Sequence, residues 1–299
     1  MLERVDEMSG GGAWIVANRP SDEERQALVA THGVPEHLLA HALDPDERPR
    51  IAKTADATLV VLRMPRRMPQ GSDVPWATVP LSLVLGARDA VTIALDGPEL
   101  VDRVRAAALS EPCAPHRVVL AHLRAAADAF LEATADVERA IDAEEAHLSR
   151  SLGNREVLAL VRLMKSLVIF ASALKSLELV VQRLRETHWL EVPEEDRGAL
   201  EDTLIEIRQA LEIVNLERET LAVTMDAFAS VISNNLNDVM KLLAAVTVIL
   251  TPPLAVAGYW GMNVPVPWSG QPWAFAAIIA VSILSSFVCA LELRRRRWM

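Results

Sequence analysis

Two uncharged apolar runs lie near the C-terminal end of the chain, and a short polar turn separates them. The first run covers Leu242–Trp260, and the second covers Pro272–Leu291. At about 1.5 Å per residue, each run is long enough to cross a bilayer as a helix. The pattern predicts a membrane hairpin: a first transmembrane helix at 242–260, an outer loop at 261–271 and a second transmembrane helix at 272–293.

A sustained heptad pattern of apolar residues precedes the first run. Its members recur at alternating steps of four and three, with Arg218 as the exception in the seam: Leu200, Leu204, Ile207, Leu211, Val214, Leu221, Met225, Phe228 and Ile232. This stripe predicts a coiled-coil-like stalk helix at 196–241. Because neither Pro nor Gly occurs between Ala199 and Thr251, the helix should continue into the membrane. It would be on the order of 90 Å long if helical throughout.

The N-terminal part of the chain mixes strand and helix patterns. Strand-like runs occur at Ala13–Ala17, Thr58–Met64, Val79–Leu85 and Ala90–Leu95, and the last two are joined as a hairpin. Ser21 and Glu24 have the spacing of a capping box, which predicts a helix start. The segment Pro65–Pro75 is predicted to be a loop. These patterns predict an α/β domain at 1–115.

Two long Ala- and Leu-rich segments follow, at Arg117–Arg150 and Arg155–Thr187. A short break containing Gly153 separates them, so they predict a helical hairpin at 116–195, with a further turn near Trp189.

The distribution of charge predicts the orientation in the membrane. The tail at 294–299 carries four consecutive arginines, and Lys241 abuts the first run, whereas the loop between the runs has no Lys or Arg. The positive-inside rule predicts that both termini are cytoplasmic, and we expect a two-span protein of the inner membrane. Met1–Gly12 has no apolar stretch typical of a signal peptide. Cys113 and Cys289 indicate no disulfide framework.

The formal net charge is −10, and it is −13 over residues 1–291 because the last eight residues carry +3. An acidic cytosolic part argues against nucleic acid as a partner. It is compatible with weak binding of divalent cations, and also with a simple role in solubility.

Two motifs surround the start and end of the first apolar run. Gly261-Met262-Asn263 follows the run directly, and residues 233–241 read SNNLNDVMK, which fits the pattern SNxxNxVMK. These motifs resemble those of the CorA-type divalent-cation transporters, whose Gly-Met-Asn turn follows the first of two C-terminal spans. The motifs cover roughly the last seventy residues; the rest of the chain matches in layout.

The resemblance implies an architecture and a function. It implies an α/β cytosolic N-terminal domain, long stalk helices and two C-terminal transmembrane helices, assembled as a homopentameric funnel in the lipid bilayer. It implies transport of Mg²⁺, with Co²⁺ and Ni²⁺ as substitutes, and no tightly bound cofactor. The transported ion, Mg²⁺, Zn²⁺ or Co²⁺, would also be the regulatory ion.

One face of the first span carries small and hydroxyl side chains. Its members recur at steps of three or four: Asn237, Met240, Ala244, Thr247, Thr251, Leu254 and Gly258. Branched residues such as Leu242, Val246, Ile249 and Val256 collect on the opposite side. This division favours a helix that lines a narrow pore. Close helix–helix packing, which also favours Ala, Gly and Thr, is the alternative.

The resemblance and the chemistry of cation binding assign roles along this face. The turn Gly261-Met262-Asn263 would receive and select the ion, with a ring of Asn263 amide oxygens as hydrated-ion ligands. Asn237 would form a second polar ring, or a cap or interhelical hydrogen bond. Met240 and Leu243 could close the pore by dewetting. Thr251 would supply a mid-pore oxygen, unless its hydroxyl bonds the carbonyl one turn back.

Regulation in the family is attributed to cytosolic Mg²⁺ held by carboxylates between subunits. Asp202 and Asp226 fall at positions similar to family acidic positions. The alternative for each is an ordinary solvated charge on the stalk.

Other functions remain open at this point. The outer loop at 264–271 is short and has no acidic residue, which also fits a zinc-transporting branch of the same fold, with proton coupling as its energy source. Pro252-Pro253-Leu254 lacks a hydroxyl after the first proline, and a non-conducting regulatory or scaffold protein is a further alternative. No phosphate-binding or nucleophile motif supports an enzyme. His37 and His41 share a helical face that could bind zinc, although a surface pair is the more ordinary explanation.

Overall fold

A computed structural model describes residues 2–8, 11–95, 98–108, 114–151, 154–187, 190, 192–268, 270–296 and 298. Contacts divide the chain into two compact units, Met1–Val223 and Thr224–Met299. The first unit holds a mixed sheet with helices on both faces. The second unit holds the C-terminal helical hairpin.

The described residues form six strands and seven helices. The strands are β1 (Leu2–Glu7), β2 (Ala13–Asn18), β3 (Arg50–Lys53), β4 (Ala57–Arg67), β5 (Trp76–Gly86) and β6 (Ala90–Ala94). The helices are α1 (Asp22–Ala30), α2 (Glu36–Ala42), α3 (Pro98–Ala108), α4 (Pro115–Ser151), α5 (Asn154–Thr187), α6 (Glu194–Trp260) and α7 (Ala274–Arg295).

The strands form one sheet in the order β1-β2-β6-β5-β4-β3. Strands β2 and β6 pair in parallel, and every other neighbouring pair is antiparallel. The long β4–β5 hairpin provides the fourth and fifth strands of this order, and its register runs from Ala57 opposite Gly86 to Arg67 opposite Trp76.

Alternating residues of the strands fill two apolar layers. On one face, Ile15 and Ala17 of β2 join Leu28 of α1 and Leu38 of α2 in a buried cluster. On the other face, helices α4 and α5 pack against β4 and β5. The sheet is therefore covered on both sides, as expected from its nearly continuous apolar strands.

A buried chain of hydrogen bonds joins the sheet to α4. Trp14 Nε1 donates to Thr92 Oγ1 over 2.9 Å, and His122 Nε2 lies 2.9 Å from the same hydroxyl oxygen. His122 Nδ1 lies 2.6 Å from the carbonyl oxygen of Val118. With Nδ1 protonated and Nε2 accepting from Thr92, each of these polar atoms has a partner in the neutral state of the imidazole.

Two groups of ion pairs fasten α6 to the rest of the first unit. At its start, Asp196 Oδ2 lies 2.7 Å from His116 Nε2 and accepts from Arg117 Nε over 2.9 Å. Further along, Glu178 of α5 accepts from Arg208 of α6 over 2.8 Å. The pKa of Asp196 is lowered, first by the hydrogen bond from Arg117.

Most of the local predictions are confirmed. Ser21 caps α1, and Glu24 completes the capping box. The predicted strands correspond to β2, β4, β5 and β6, and the two predicted long helices correspond to α4 and α5. Helix α6 runs unbroken through Glu194–Trp260, which confirms the predicted continuous helix. The exact domain boundaries remain predictions; the division by contacts falls within the predicted stalk.

One local prediction is wrong, and several elements were not predicted. Pro65–Arg67 belong to β4 and not to a loop. Strand β3 pairs with β4 only as far as Val61, so no strand lies beside Pro65 on the β3 side of β4. The missing amide hydrogen of Pro65 therefore costs no hydrogen bond between strands on that side. Strands β1 and β3 and helix α3 were not predicted. Cys113, Gly153 and Trp189 lie outside the described residues.

Candidate ion pathway

Three described helices are long and apolar enough to cross a membrane: α5, α6 and α7. Their most apolar windows have mean hydropathies of 2.0, 2.0 and 2.5. Burial separates them, because 44% of the α5 window is buried against 6% of the α6 and α7 windows. Helix α5 contributes Leu167, Phe170 and Leu174 to the core of the first unit. Its hydrophobicity is therefore explained by packing against protein.

Helix α7 turns a face of small side chains towards α6. The half-buried positions of α7 include Ala277, Ser282, Ser285, Ser286, Cys289 and Ala290. Across from them, Ala245 of α6 is fully buried, and Val256 and Trp260 share an apolar pocket with Ala277 and Ile278. The large residues of α7 are exposed: Phe275, Ile283, Leu284, Phe287 and Val288. Small residues allow close approach of helices in a membrane, and large apolar residues suit contact with lipid.

Two consecutive prolines lie within the apolar part of α6. Pro252 and Pro253 have no amide hydrogen, so the carbonyl groups of Val248 and Ile249 lack the usual donor four residues later. Ser286 of α7 donates its hydroxyl hydrogen to the Ile249 carbonyl oxygen over 3.0 Å. The second helix thereby supplies a hydrogen bond that the first cannot make.

The predicted pore face of α6 lies within the large part of this helix that α7 leaves uncovered. Ala244 is half-buried, and the other predicted members are exposed: Asn237, Met240, Leu243, Thr247, Thr251, Leu254 and Gly258. On the opposite side, Ile249 and Val256 are half-buried, whereas Leu242 and Val246 are exposed. A single chain thus presents a continuous uncovered stripe along its first apolar helix.

The two threonine hydroxyls on this stripe bond to their own helix. Thr247 Oγ1 donates to the carbonyl oxygen of Leu243 over 2.9 Å, and Thr251 Oγ1 donates to that of Thr247 over 2.7 Å. This back-bonded arrangement is the predicted alternative to a role of Thr251 as a mid-pore oxygen. Each oxygen keeps a lone pair that can still face the uncovered side.

The turn Gly261-Met262-Asn263 begins directly where α6 ends. The amide of Gly261 donates to the carbonyl oxygen of Ala257 over 2.9 Å and closes the last helical turn. A Cβ at Gly261 would lie 3.1 Å from that same oxygen, so the position is tight. Met262 and Asn263 are exposed. The Asn263 amide therefore stands beside the C-terminal end of a helix, where partial negative charge favours cations.

The predicted regulatory carboxylates stand apart from one another. Asp202 and Asp226 are both exposed on α6. Within the described residues, no group of three or more His, Cys, Asp or Glu side chains is arranged to hold a metal ion. The predicted histidine pair is not such a site either: His37 is exposed, and His41 Nδ1 lies 2.9 Å from Glu47 Oε2.

Sequence reasoning did not identify the acidic contact between α4 and α6. Burial is the first cause that raises the pKa of Glu217, and the nearby carboxylates of Glu138, Asp142 and Glu145 raise it further. The spacing of the three α4 residues places them on one helical face, which was visible in the sequence. Their proximity to Glu217 depends on tertiary packing and was not.

Comparison with known proteins places the chain in a family. A family model described as CorA-like Mg²⁺ transporter protein matches residues 9–295. The cobalt/magnesium transport protein CorA of Methanocaldococcus jannaschii is 24% identical over 295 residues, covering 96% of this chain and 91% of that protein. The zinc transport protein ZntB of Enterobacter sp. (strain 638) is 22% identical over 292 residues, covering 96% of this chain and 88% of that protein.

A solved structure shares the whole fold. The complete structure of the CorA magnesium transporter from Methanocaldococcus jannaschii matches with a TM-score of 0.85 at 23% identity, over 99% of this chain and 95% of that chain. The α/β sheet domain, the long helices and the C-terminal helical hairpin are thus the elements of the CorA fold. Because the family model spans nearly the entire sequence, the chain belongs to the family of CorA-like Mg²⁺ transporter proteins.

Proposed function

We propose that this protein is a divalent-cation transporter or channel of the inner membrane that passes Mg²⁺, with Co²⁺ and Ni²⁺ as substitutes. The ion enters at Gly261-Met262-Asn263 and follows the stripe of α6 from Gly258 to Asn237. The apolar part of α6 and helix α7 are the two spans, and both chain termini are cytoplasmic. The observation that carries the proposal is the uncovered polar and small-residue stripe that leads to this turn.

The chemistry of the turn suits a hydrated divalent cation. Mg²⁺ gives up its waters reluctantly and is commonly held through them. An exposed Asn263 amide supplies a carbonyl oxygen without a full negative charge, so an ion can bind and still leave. The free carbonyl groups at the end of α6 add partial negative charge at the same place.

A pore requires several copies of the chain, and we propose a homopentamer. One α6 helix cannot enclose an ion, and its stripe is exposed in the single chain. Within the first unit, α6 also exposes Ile205, Leu216 and Val223 along one side. The heptad residues Ile207, Val214 and Leu221 are buried on the other side. Exposed apolar side chains along a long helix suit contact with neighbouring copies.

The test is ion flux into liposomes that contain the purified protein. We expect Mg²⁺ uptake by the wild type and its loss in Asn263→Ala, with the oligomer intact by size-exclusion chromatography. Gln271→Ala is the matched control, because Gln271 is an exposed amide in the same loop. Equal loss in both variants would contradict selection at Asn263.

Zinc transport is the second candidate, and two observations favour it. The ZntB relative covers almost the whole chain, and the outer loop at 264–271 carries no charge. In the same liposomes, Zn²⁺ uptake that follows an imposed pH gradient and stops with a protonophore would move the assignment to proton-coupled zinc transport. An assembled oligomer that passes neither ion would support a non-conducting scaffold.

Closure by cytosolic Mg²⁺ is a further part of the proposal. Asp202 and Asp226 are exposed, so a complete ligand set would need carboxylates from a neighbouring copy. Asp202→Asn should keep the flux but make it insensitive to Mg²⁺ on the cytosolic side. Unchanged inhibition in both Asp202→Asn and Asp226→Asn would exclude these residues.

A further inference from the structure

The double proline in α6 leaves two backbone carbonyl groups that the helix cannot satisfy. The amide four residues after Val248 belongs to Pro252, and the amide four residues after Ile249 belongs to Pro253, and neither carries a hydrogen. In the hydrocarbon region an unpaired carbonyl is costly, and helices bend or shift to find a partner for it. This step is therefore the place where α6 is most easily deformed.

Ser286 satisfies one of these two groups from the neighbouring helix. Its hydroxyl donates to the Ile249 carbonyl oxygen over 3.0 Å, while the preceding Ser285 donates to the Ser282 carbonyl oxygen within α7 over 2.9 Å. Two adjacent serines of α7, both half-buried, thus make different kinds of bond. Only the bond of Ser286 joins the two helices.

We propose that Ser286 is a positioning residue that holds the backbone of α6 in place at Pro253 and thereby sets the rate of ion flux. The inference rests on the proposed transport function. Along α6, the Ile249 carbonyl comes after Thr247 and before Thr251 and Leu254, three residues that lie on the uncovered stripe. A bend at this step would move the outer part of the stripe relative to the inner part. The bond therefore connects the position of α7 to the shape of the pathway.

The test is a double-mutant cycle in the full-length, assembled protein. Ser286→Ala should lower the apparent Tm by about 2–4 °C, from the loss of one hydrogen bond. It should also change flux about two- to tenfold. Ser286→Thr keeps a hydroxyl and should restore both values. Ser285→Ala is the matched control and should change neither.

The two prolines provide a second, sharper control. Pro253→Ala restores an amide hydrogen that can bond the Ile249 carbonyl, so Ser286→Ala should have little further effect on Tm or flux in that background. Pro252→Ala restores the donor for Val248 instead, so Ser286→Ala should keep its full effect there. We therefore expect the effects of Ser286→Ala and Pro253→Ala to be non-additive, and those of Ser286→Ala and Pro252→Ala to be additive.

The outcomes separate this inference from the proposed function. An equal effect of Ser286→Ala in both proline backgrounds, or equal effects of Ser285→Ala and Ser286→Ala, overturns the role of the Ile249 bond. A change in Tm with no change in flux overturns the positioning role and leaves a structural bond. An absence of wild-type flux contradicts the transport function, whereas the Tm cycle still decides whether Ser286 holds the proline step.

Discussion

Arg208 of α6 donates through Nε to Glu178 Oε1 of α5 over a distance of 2.8 Å, and this ion pair is anchored at a buried carboxylate. Glu178 is only 6% exposed, and Lys175 and Gln182 of its own helix donate to it as well. The pKa of Glu178 is lowered, first by the hydrogen bond from Lys175 and then by that from Arg208. A satisfied buried carboxylate thus fastens the long helix to the first unit.

Glu178→Gln should destabilise the folded protein, because the amide cannot replace three charge-assisted bonds. We expect a loss of about 1–3 kcal/mol in the free energy of unfolding. The measurement is thermal unfolding of the full-length protein in detergent. Glu186→Gln changes an exposed glutamate near the end of the same helix and should have no effect. Because the folded pKa lies below the unfolded value, the contribution of Glu178 is present above pH 4.5 and is lost as the pH falls below it. Equal stability of the two variants would contradict this role.

The buried imidazole of His122 should make stability fall with acidification. Burial lowers the pKa of His122 to about 4 in the folded protein, from an ordinary value of 6.5. Between these two pH values the unfolded chain binds a proton that the folded chain does not, so the free energy of unfolding decreases as the pH drops. The loss approaches about 3 kcal/mol below pH 4.

This prediction is checked by following Tm between pH 7 and pH 4 in two variants. His122→Gln removes the titrating group and should give a shallower fall in Tm than the wild type. His37→Gln changes an exposed histidine of α2 and should follow the wild type. Parallel curves for wild type and His122→Gln would show that His122 does not titrate as described.

Met240 should act as a hydrophobic barrier in the pathway. It is exposed on the stripe of α6, and replacing it with a polar residue should favour water at the constriction. We expect Met240→Ser to raise Mg²⁺ flux in liposomes several-fold. Val239→Ser changes an equally exposed residue that lies off the stripe, and its flux should equal that of the wild type. Similar flux in Met240→Ser and Val239→Ser would refute a hydrophobic barrier at Met240.

Gly261 should tolerate a methyl group poorly. A Cβ there would lie 3.1 Å from the Ala257 carbonyl oxygen, which accepts the hydrogen bond that closes α6. Gly261→Ala should therefore shift the adjoining Asn263 and reduce flux at least about tenfold, since small displacements of binding groups have large effects on rate. A Cβ at Gly270 meets nothing within 4 Å, so Gly270→Ala is the control in the same loop. Unchanged flux in Gly261→Ala would mean that the turn accommodates the methyl group.

The elements that the sequence predicted correctly are those with a strong local pattern. The heptad stripe and the apolar run of α6, the capping box at Ser21 and the hairpin of β5 and β6 each express a period or a turn within a few residues. Strand β1 carries no such pattern, because Leu2–Glu7 is mostly polar and exists through pairing with β2. Strand β3 is short and is likewise held by its neighbour β4.

The residues of the candidate pathway likewise divide into those that a local sequence pattern identifies and those that only helix packing identifies. The stripe of α6 and the turn at Gly261 follow from spacing and from recognised motifs, and both could be named in advance. Ser286 could not, because its partner is a backbone carbonyl on another helix. Only the packing of α7 shows which of three nearby serines reaches Ile249. The buried state of Glu178 likewise depends on contacts between helices.

The apolar character of α5 has a consequence for how the chain is made. Translation delivers α5 to the ribosome exit before α6 and α7, and its window has the same mean hydropathy as that of α6, 2.0. The insertion machinery selects segments by hydrophobicity and flanking charge, so α5 would compete for insertion with the two proposed spans. If α5 folds early against α4 and the sheet, its apolar side chains are buried and it is no longer available for membrane insertion. Defects that delay this folding should therefore appear as inverted topology of the C-terminal hairpin, even when they lie far along the sequence from both spans.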